Sequence, residues 1–107
     1  MGSGLIFLCE VGDVPLESVI QVETEQYLLA VYNLEGEIFI TDDECTHGPG
    51  LLSEGDVHDG KIECIFHNGE FCIRTGEAVT APCIIPVKTY APVIEADKVY
   101  IQQQTER

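Results

Sequence analysis

Positive charge is scarce in this sequence. Five Lys and Arg stand against nineteen Asp and Glu, a formal net charge of −14 over 107 residues. Phosphate backbones and anionic lipid surfaces repel such a chain, so nucleic acid and membrane are excluded as expected partners. Basic protein patches and cations remain. Long apolar runs are missing as well. Leu5 to Cys9 is an apolar run of five residues with no basic residue before it. That is too short for the core of a signal peptide, and Ile6 breaks the myristoylation pattern. No run approaches membrane-spanning length. The expected location is the cytoplasm. A helical period is also lacking: no segment keeps the apolar spacing of an amphipathic helix over a dozen residues. The best helical candidate is a single turn at Asp13-Val14-Pro15.

What is present is a compact β pattern. A chain of 107 residues suits one domain, 1–107, with one modest core. Such a core leaves little room for a substrate pocket plus catalytic machinery, so an enzyme is not expected. An apolar content of 45% argues for a folded chain. "SVIQVE" (Ser18–Glu23), "YLLAVYNL" (Tyr27–Leu34) and "EIFIT" (Glu37–Thr41) are rich in β-branched and aromatic residues. Glu35-Gly36 turns the second into the third. Asp59-Gly60 turns "DVH" into "KIECI", Thr75-Gly76 turns "EFCIR" into "EAV", and Ala96-Asp97 separates the last two runs. The expected class is all-β, many short strands in small antiparallel sheets.

The cysteines number five: Cys9, Cys45, Cys64, Cys72 and Cys83. An odd count without a secretion signal argues against a disulfide scaffold and for metal binding or buried thiols. Two of them open similar stretches. "CTHGPG" begins Cys45-Thr46-His47, and "CIFHNGEF" begins Cys64-Ile65-Phe66-His67. Sixteen residues, 48 to 63, separate the pairs and contain the Asp59-Gly60 turn. A hairpin returns its ends to one place, so the two loops can face each other. Thiolates suit iron–sulfur and zinc, and imidazoles suit zinc and iron. Glycines follow each His: Gly48 and Gly50 in the first loop, Gly69 in the second. They permit close backbone approach to a bound group. On ligand identity alone, structural zinc and an iron–sulfur cluster are comparable readings.

The two loops resemble the Rieske [2Fe–2S] motif, C-x-H followed by C-x2-H. From about Val31 onward the chain is similar to the small Rieske ferredoxins of bacterial aromatic-ring-hydroxylating dioxygenase systems. "EGEIFITDDECTH", "LSEGDV", "RTGEAVTAP" and "IPVKTY" carry that similarity. The resemblance implies a Rieske-like fold whose cluster-binding part, about 42–86, presents two loops at one tip. It implies one [2Fe–2S] cluster, with Cys45 and Cys64 on the inner iron and His47 and His67 on the outer one. It implies a one-electron carrier, not an enzyme and expected as a monomer. Its partners would be a flavin-dependent ferredoxin reductase and a terminal Rieske oxygenase. Replacing two thiolates by neutral imidazoles makes the cluster less negative and lifts its potential. High-potential Rieske proteins add a cysteine to each loop, at positions held here by Gly50 and Phe66, and a hydroxyl donor, where this chain has Gly69. A potential near the low end of the Rieske range, about −150 mV, is therefore expected. "TAPCIIP" (Thr80–Pro86) matches a loop that covers the cluster in the family, with Pro82 shielding it.

Two other classes stay open: a ferredoxin for another redox system, and a structural zinc-binding interaction module. Cys9, Cys72 and Cys83 read as small buried side chains. His58, beside a turn, reads as a surface histidine. Phe66, between two candidate ligands, reads as packing on the bound group.

Overall fold

The computed structural model describes residues 4–46, 48–65 and 68–103. Their eleven strands are β1 (Leu5–Glu10), β2 (Ser18–Glu23), β3 (Leu28–Leu34), β4 (Glu37–Asp42), β5 (Asp56–His58), β6 (Lys61–Glu63), β7 (Glu70–Cys72), β8 (Ala78–Thr80), β9 (Thr89–Tyr90), β10 (Pro92–Glu95) and β11 (Lys98–Gln102). They form three antiparallel sheets, ordered β1-β11-β10, β2-β3-β4-β9 and β5-β6-β7-β8. The all-β expectation holds.

β3 explains the layering. Its sequence LLAVYNL is a near-continuous apolar run, and every residue after Leu28 is buried. A strand reads this way when both of its faces are covered. Ala30, Tyr32 and Leu34 face one core, with Leu52, Ile62, Phe71, Ile73 and Val87. Leu29 and Val31 face a second core, with Leu8, Val14, Ile38, Ile40, Val99 and Ile101. The period of two in the strand thus divides the interior into two apolar clusters.

Tight turns set the registers. Glu35-Gly36, Asp59-Gly60 and Ala96-Asp97 all take positive φ at both positions. That is the backbone of a type I′ hairpin, whose twist matches the strands it joins. The one-turn helix falls slightly earlier than the sequence suggests, at Val11–Asp13. The carboxylate of Asp13 accepts the backbone N–H of Glu10 at 3.0 Å, and this capping contact holds the turn ahead of Pro15.

β4 and β9 are neighbours, pairing Ile40 with Tyr90 and Thr41 with Thr89. Everything between them is an excursion that returns to its origin. The Asp42 N–H donates to the Lys88 carbonyl at 3.0 Å and closes that neck. The excursion contains the sheet β5–β8 and both cysteine loops. No helix among the described residues is long and apolar enough to cross a membrane.

Candidate metal centre

The two cysteine loops close in the same way. In the first, which follows β4, the Cys45 N–H donates to the Gly50 carbonyl at 3.0 Å. In the second, between β6 and β7, the Cys64 N–H donates to the Gly69 carbonyl at 2.9 Å. Each cysteine therefore sits at the neck of a loop that ends five residues later on a glycine. The second loop is tightened further by Asn68. Its N–H donates to the Cys64 carbonyl at 2.7 Å, and its φ is +60°. Asn tolerates that left-handed conformation better than most residues do.

The first loop is anchored from within by Asp43, which is fully buried. Its carboxylate accepts the Ser53 N–H at 2.7 Å, the Ser53 hydroxyl at 2.8 Å and the Gln21 side-chain amide at 2.8 Å. Its backbone carbonyl accepts the Leu52 N–H at 2.6 Å. One buried carboxylate thereby ties the loop to β2 and to the turn ahead of β5. Asp43 stands in a run of three acids, Asp42 to Glu44, yet three donors draw its carboxylate inward. Asp42 is also engaged, accepting the Tyr90 hydroxyl at 2.6 Å. Glu44 alone of the three is exposed.

Cys45 and Cys64 are buried and unbridged, 5% and 0% exposed. Both belong to the apolar core that faces the sheet β5–β8. Cys83 joins them there, 3% exposed, with its Sγ 3.9 Å from the Sγ of Cys45. In sequence Cys83 reads as an ordinary buried thiol. It is buried, but beside a candidate ligand, and no local spacing announces this because 38 residues separate the two. Burial, then the Cys45 sulfur and its hydrogen bond, then Cys64, push the Cys83 thiol up to about 12. The segment that carries Cys83 lies against both loops. The Thr46 hydroxyl donates to the Ile85 carbonyl at 2.6 Å. A Cβ on Gly69 would meet the Cys83 sulfur and its backbone N. Glycine is required there by close approach.

His47, Phe66 and His67 lie outside the described residues. The other two cysteines stand apart from the loops. Cys9 is buried in the second core, and burial, reinforced by Asp13, raises its thiol to about 11. Cys72 ends β7, opposite Lys61. His58 is exposed, as expected of a surface histidine, and pairs with Glu70 at 2.8 Å.

The donor set fits an iron–sulfur centre. Two buried thiols stand at matching loop necks, each followed closely in sequence by a histidine. Their glycine-bearing loops keep the backbone close, and the side chains around the thiols are apolar. Soft sulfur donors in a dry surrounding suit iron–sulfur ligation. This defines the class: a small β protein whose core carries two buried thiols at matching loop necks, each followed in sequence by a histidine.

The chain belongs to the Rieske [2Fe–2S] domain family, which matches residues 4–91. As a member it carries one [2Fe–2S] cluster. It is 42% identical over 94 residues to the biphenyl dioxygenase ferredoxin subunit of Pseudomonas sp. (strain KKS102), covering 87% of this chain and 86% of that one. It is likewise 42% identical over 89 residues to the ferredoxin component of the naphthalene 1,2-dioxygenase system of Pseudomonas aeruginosa, covering 83% and 86%. Among solved structures, the Sphingomonas yanoikuyae B1 ferredoxin superposes with a TM-score of 0.90 at 45% identity, covering 92% of this chain and 98% of that one.

Proposed function

We propose that this chain is the one-electron carrier of an aromatic-ring dioxygenase system. It takes electrons from a flavin-dependent reductase and passes them to a terminal Rieske oxygenase. Relatives named as ferredoxin components of such systems support the carrier role, and they cover most of both chains. A chain from a solved complex of reduced oxygenase and oxidized ferredoxin in carbazole 1,9a-dioxygenase supports the oxygenase as partner. It matches at a TM-score of 0.89 and 29% identity, covering 99% of both chains. The reductase partner, a cytoplasmic location and a single domain over 1–107 belong to the same proposal.

The observation that carries it is the matched pair of loop necks, Cys45 N–H to Gly50 and Cys64 N–H to Gly69, with both thiols buried. In this reading Cys45 and Cys64 hold the inner iron, and His47 and His67 the outer one. Bound there, the cluster supplies a single reversible electron at a potential raised by its two neutral imidazoles. The chain's own residues do the rest. Asp43 fixes the first loop, Asn68 the second, and the Cys83 segment closes over both. A carrier has only to hold the cluster and present one edge.

The test is spectroscopic. Substituting any one of Cys45, His47, Cys64 or His67 by Ala should remove the visible absorption and the electron-spin-resonance signal of the reduced protein. Cys9→Ser and Cys72→Ser should retain both. A colourless wild-type protein holding zinc would overturn the assignment. So would a coloured protein that its reductase cannot reduce in one-electron steps.

A further inference from the structure

Three metal-ligating side chains outside the cysteine loops meet on one face of the sheet β5–β8. His58 ends β5, Glu63 ends β6 and Glu70 opens β7. In the register Glu63 lies opposite both Asp56 and Glu70, and His58 lies opposite Lys61. Residues opposite one another share a face. Val57, Ile62 and Phe71 alternate with them and point to the core. The His58 Nε2 stands 2.8 Å from Glu70 Oε2 and 3.9 Å from Glu63 Oε1. One ligand atom from each of the three lies within 4.8 Å of the others. Small side-chain movements bring such atoms to the separation of about 3.4 Å that tetrahedral bonds of about 2.1 Å require.

Both carboxylates are held from behind by neutral donors. The Asn68 side-chain amide donates to Glu63 Oε2 at 3.0 Å. The Thr80 hydroxyl donates to Glu70 Oε1 at 3.0 Å. In each case the tethered oxygen is not the one facing His58. Outer hydrogen bonds of this kind orient the ligands of metal sites. The face is also electrostatically incomplete: Glu63 and Glu70 are directly opposed carboxylates, with Asp56 on the other side of Glu63. Like charges so placed repel. Lys61, opposite His58 in the register, stands on the same face.

We propose that His58, Glu63 and Glu70 form a site for a divalent transition ion of the zinc type, completed by water. One imidazole and two carboxylates suit such an ion. The site goes beyond electron carriage and does not depend on it. Its position gives it a consequence. Glu63 directly precedes Cys64, and Glu70 directly follows Gly69. An ion here ties together the two strand ends from which the second cysteine loop springs. An ion that binds the folded state alone stabilises it by mass action.

The experiment uses the cluster-loaded protein, its visible spectrum confirming an intact cluster throughout. Zinc chloride is titrated calorimetrically into the wild type, His58→Ala and Glu70→Gln, and the temperature of thermal bleaching is recorded with and without zinc. The wild type should take up one equivalent and bleach at a higher temperature with zinc. Both variants should keep their colour, lose at least tenfold in affinity and lose the zinc-dependent rise. Zinc uptake by His58→Ala equal to that of the wild type would place the ion elsewhere and overturn the proposal. Absence of uptake by the wild type would leave His58 as an ion-pair partner of Glu70 and overturn it equally.

Discussion

The sulfurs of Cys45 and Cys83 lie 3.9 Å apart. Burial first, and then the two neighbouring cysteines, push the Cys83 thiol up and favour its protonated form. It therefore offers an S–H to the sulfur of a cluster ligand. Hydrogen bonds to the sulfurs are among the terms that set the potential of an iron–sulfur centre. Cys83→Ala should keep the visible spectrum and lower the reduction potential, while Cys83→Ser, with an O–H in its place, should recover part of the loss. Voltammetry on the three proteins measures this. A potential that does not move would show that the thiol is filler.

Gly69 bears on the same contact. High-potential Rieske proteins place a hydroxyl here, and Gly69→Ser would be the obvious way to raise the potential. In this chain a Cβ at position 69 would collide with the Cys83 sulfur and crowd its backbone N at 3.0 Å. Overpacking of this kind costs about 1–3 kcal/mol. Gly69→Ser should therefore bleach at a lower temperature than the wild type. Adding Cys83→Ala removes the worst contact, so the double variant should be more stable than the sum of the singles. Strict additivity in a melting experiment would rule the clash out as the cause.

Asp43 should matter to the scaffold and not to docking. Asp43→Ala removes three hydrogen bonds and strands the part-buried Ser53 N–H. A loss of about 2–3 kcal/mol is expected in denaturant unfolding. Asp43→Asn keeps one acceptor and should lose less. Equal losses in the two variants would mean that the amide serves the donors no better than a methyl group.

Cys72 should be the cysteine that reagents reach. It is half-buried, and burial raises its pKa. Hydrogen bonds from the Thr75 side chain and from the backbone at Thr75 and Arg74 outweigh that and bring it below the ordinary thiol value of 9.0. A lowered pKa means that the thiolate persists to lower pH. Iodoacetamide should modify Cys72 first, with a rate that rises with pH below 9.0 and no bleaching of the cluster. Thr75→Ala should move that profile to higher pH. Mass spectrometry locates the adduct, and bleaching in step with labelling would make Cys72 a ligand after all.

The sequence made the strands and hairpins legible because their signals are local. Glu35-Gly36 and Asp59-Gly60 need only two residues to announce a reversal, and β3 shows its double burial in its composition. The ligand loops were legible through C-x-H and C-x2-H spacing. What stayed hidden depends on contacts between distant segments. Asp43 looks like its neighbours Asp42 and Glu44 until Gln21 and Ser53 fold over it. Cys83 looks like filler until its segment returns to Cys45. Glu63 and Glu70 reveal a shared face with His58 only when the register of β5, β6 and β7 is known.

The surface around the cysteine loops combines charged and apolar side chains. Asp42, Asp43 and Glu44 precede the first cysteine and Glu70 follows the second loop, but Asp43 is buried and Asp42 and Glu70 are half-buried and hydrogen-bonded. Among the described residues, three large apolar side chains stand exposed beside Cys64 and Cys83. Ile65, next to Cys64, is 47% exposed, and Ile84 and Ile85, next to Cys83, are 79% and 57% exposed. Large apolar side chains left in water beside a redox centre lose solvent when a partner covers them. Glu44, Glu54 and Asp56 remain exposed nearby in the chain and supply steering. The two surfaces should separate experimentally. Salt screens the acids, with a Debye length of about 10 Å at 0.1 M, so the association rate with a redox partner should fall as salt rises. Ile84→Asp and Ile85→Asp should leave the spectrum intact and slow electron transfer to the oxygenase by roughly tenfold or more, as the loss of a buried apolar anchor predicts. Glu44→Gln should reduce the salt dependence while leaving transfer at high salt unchanged. Stopped-flow mixing of reduced ferredoxin with oxygenase across a salt series measures both. If the two isoleucine variants transfer electrons at the wild-type rate at every salt concentration, the cluster edge meets its partner through some other surface.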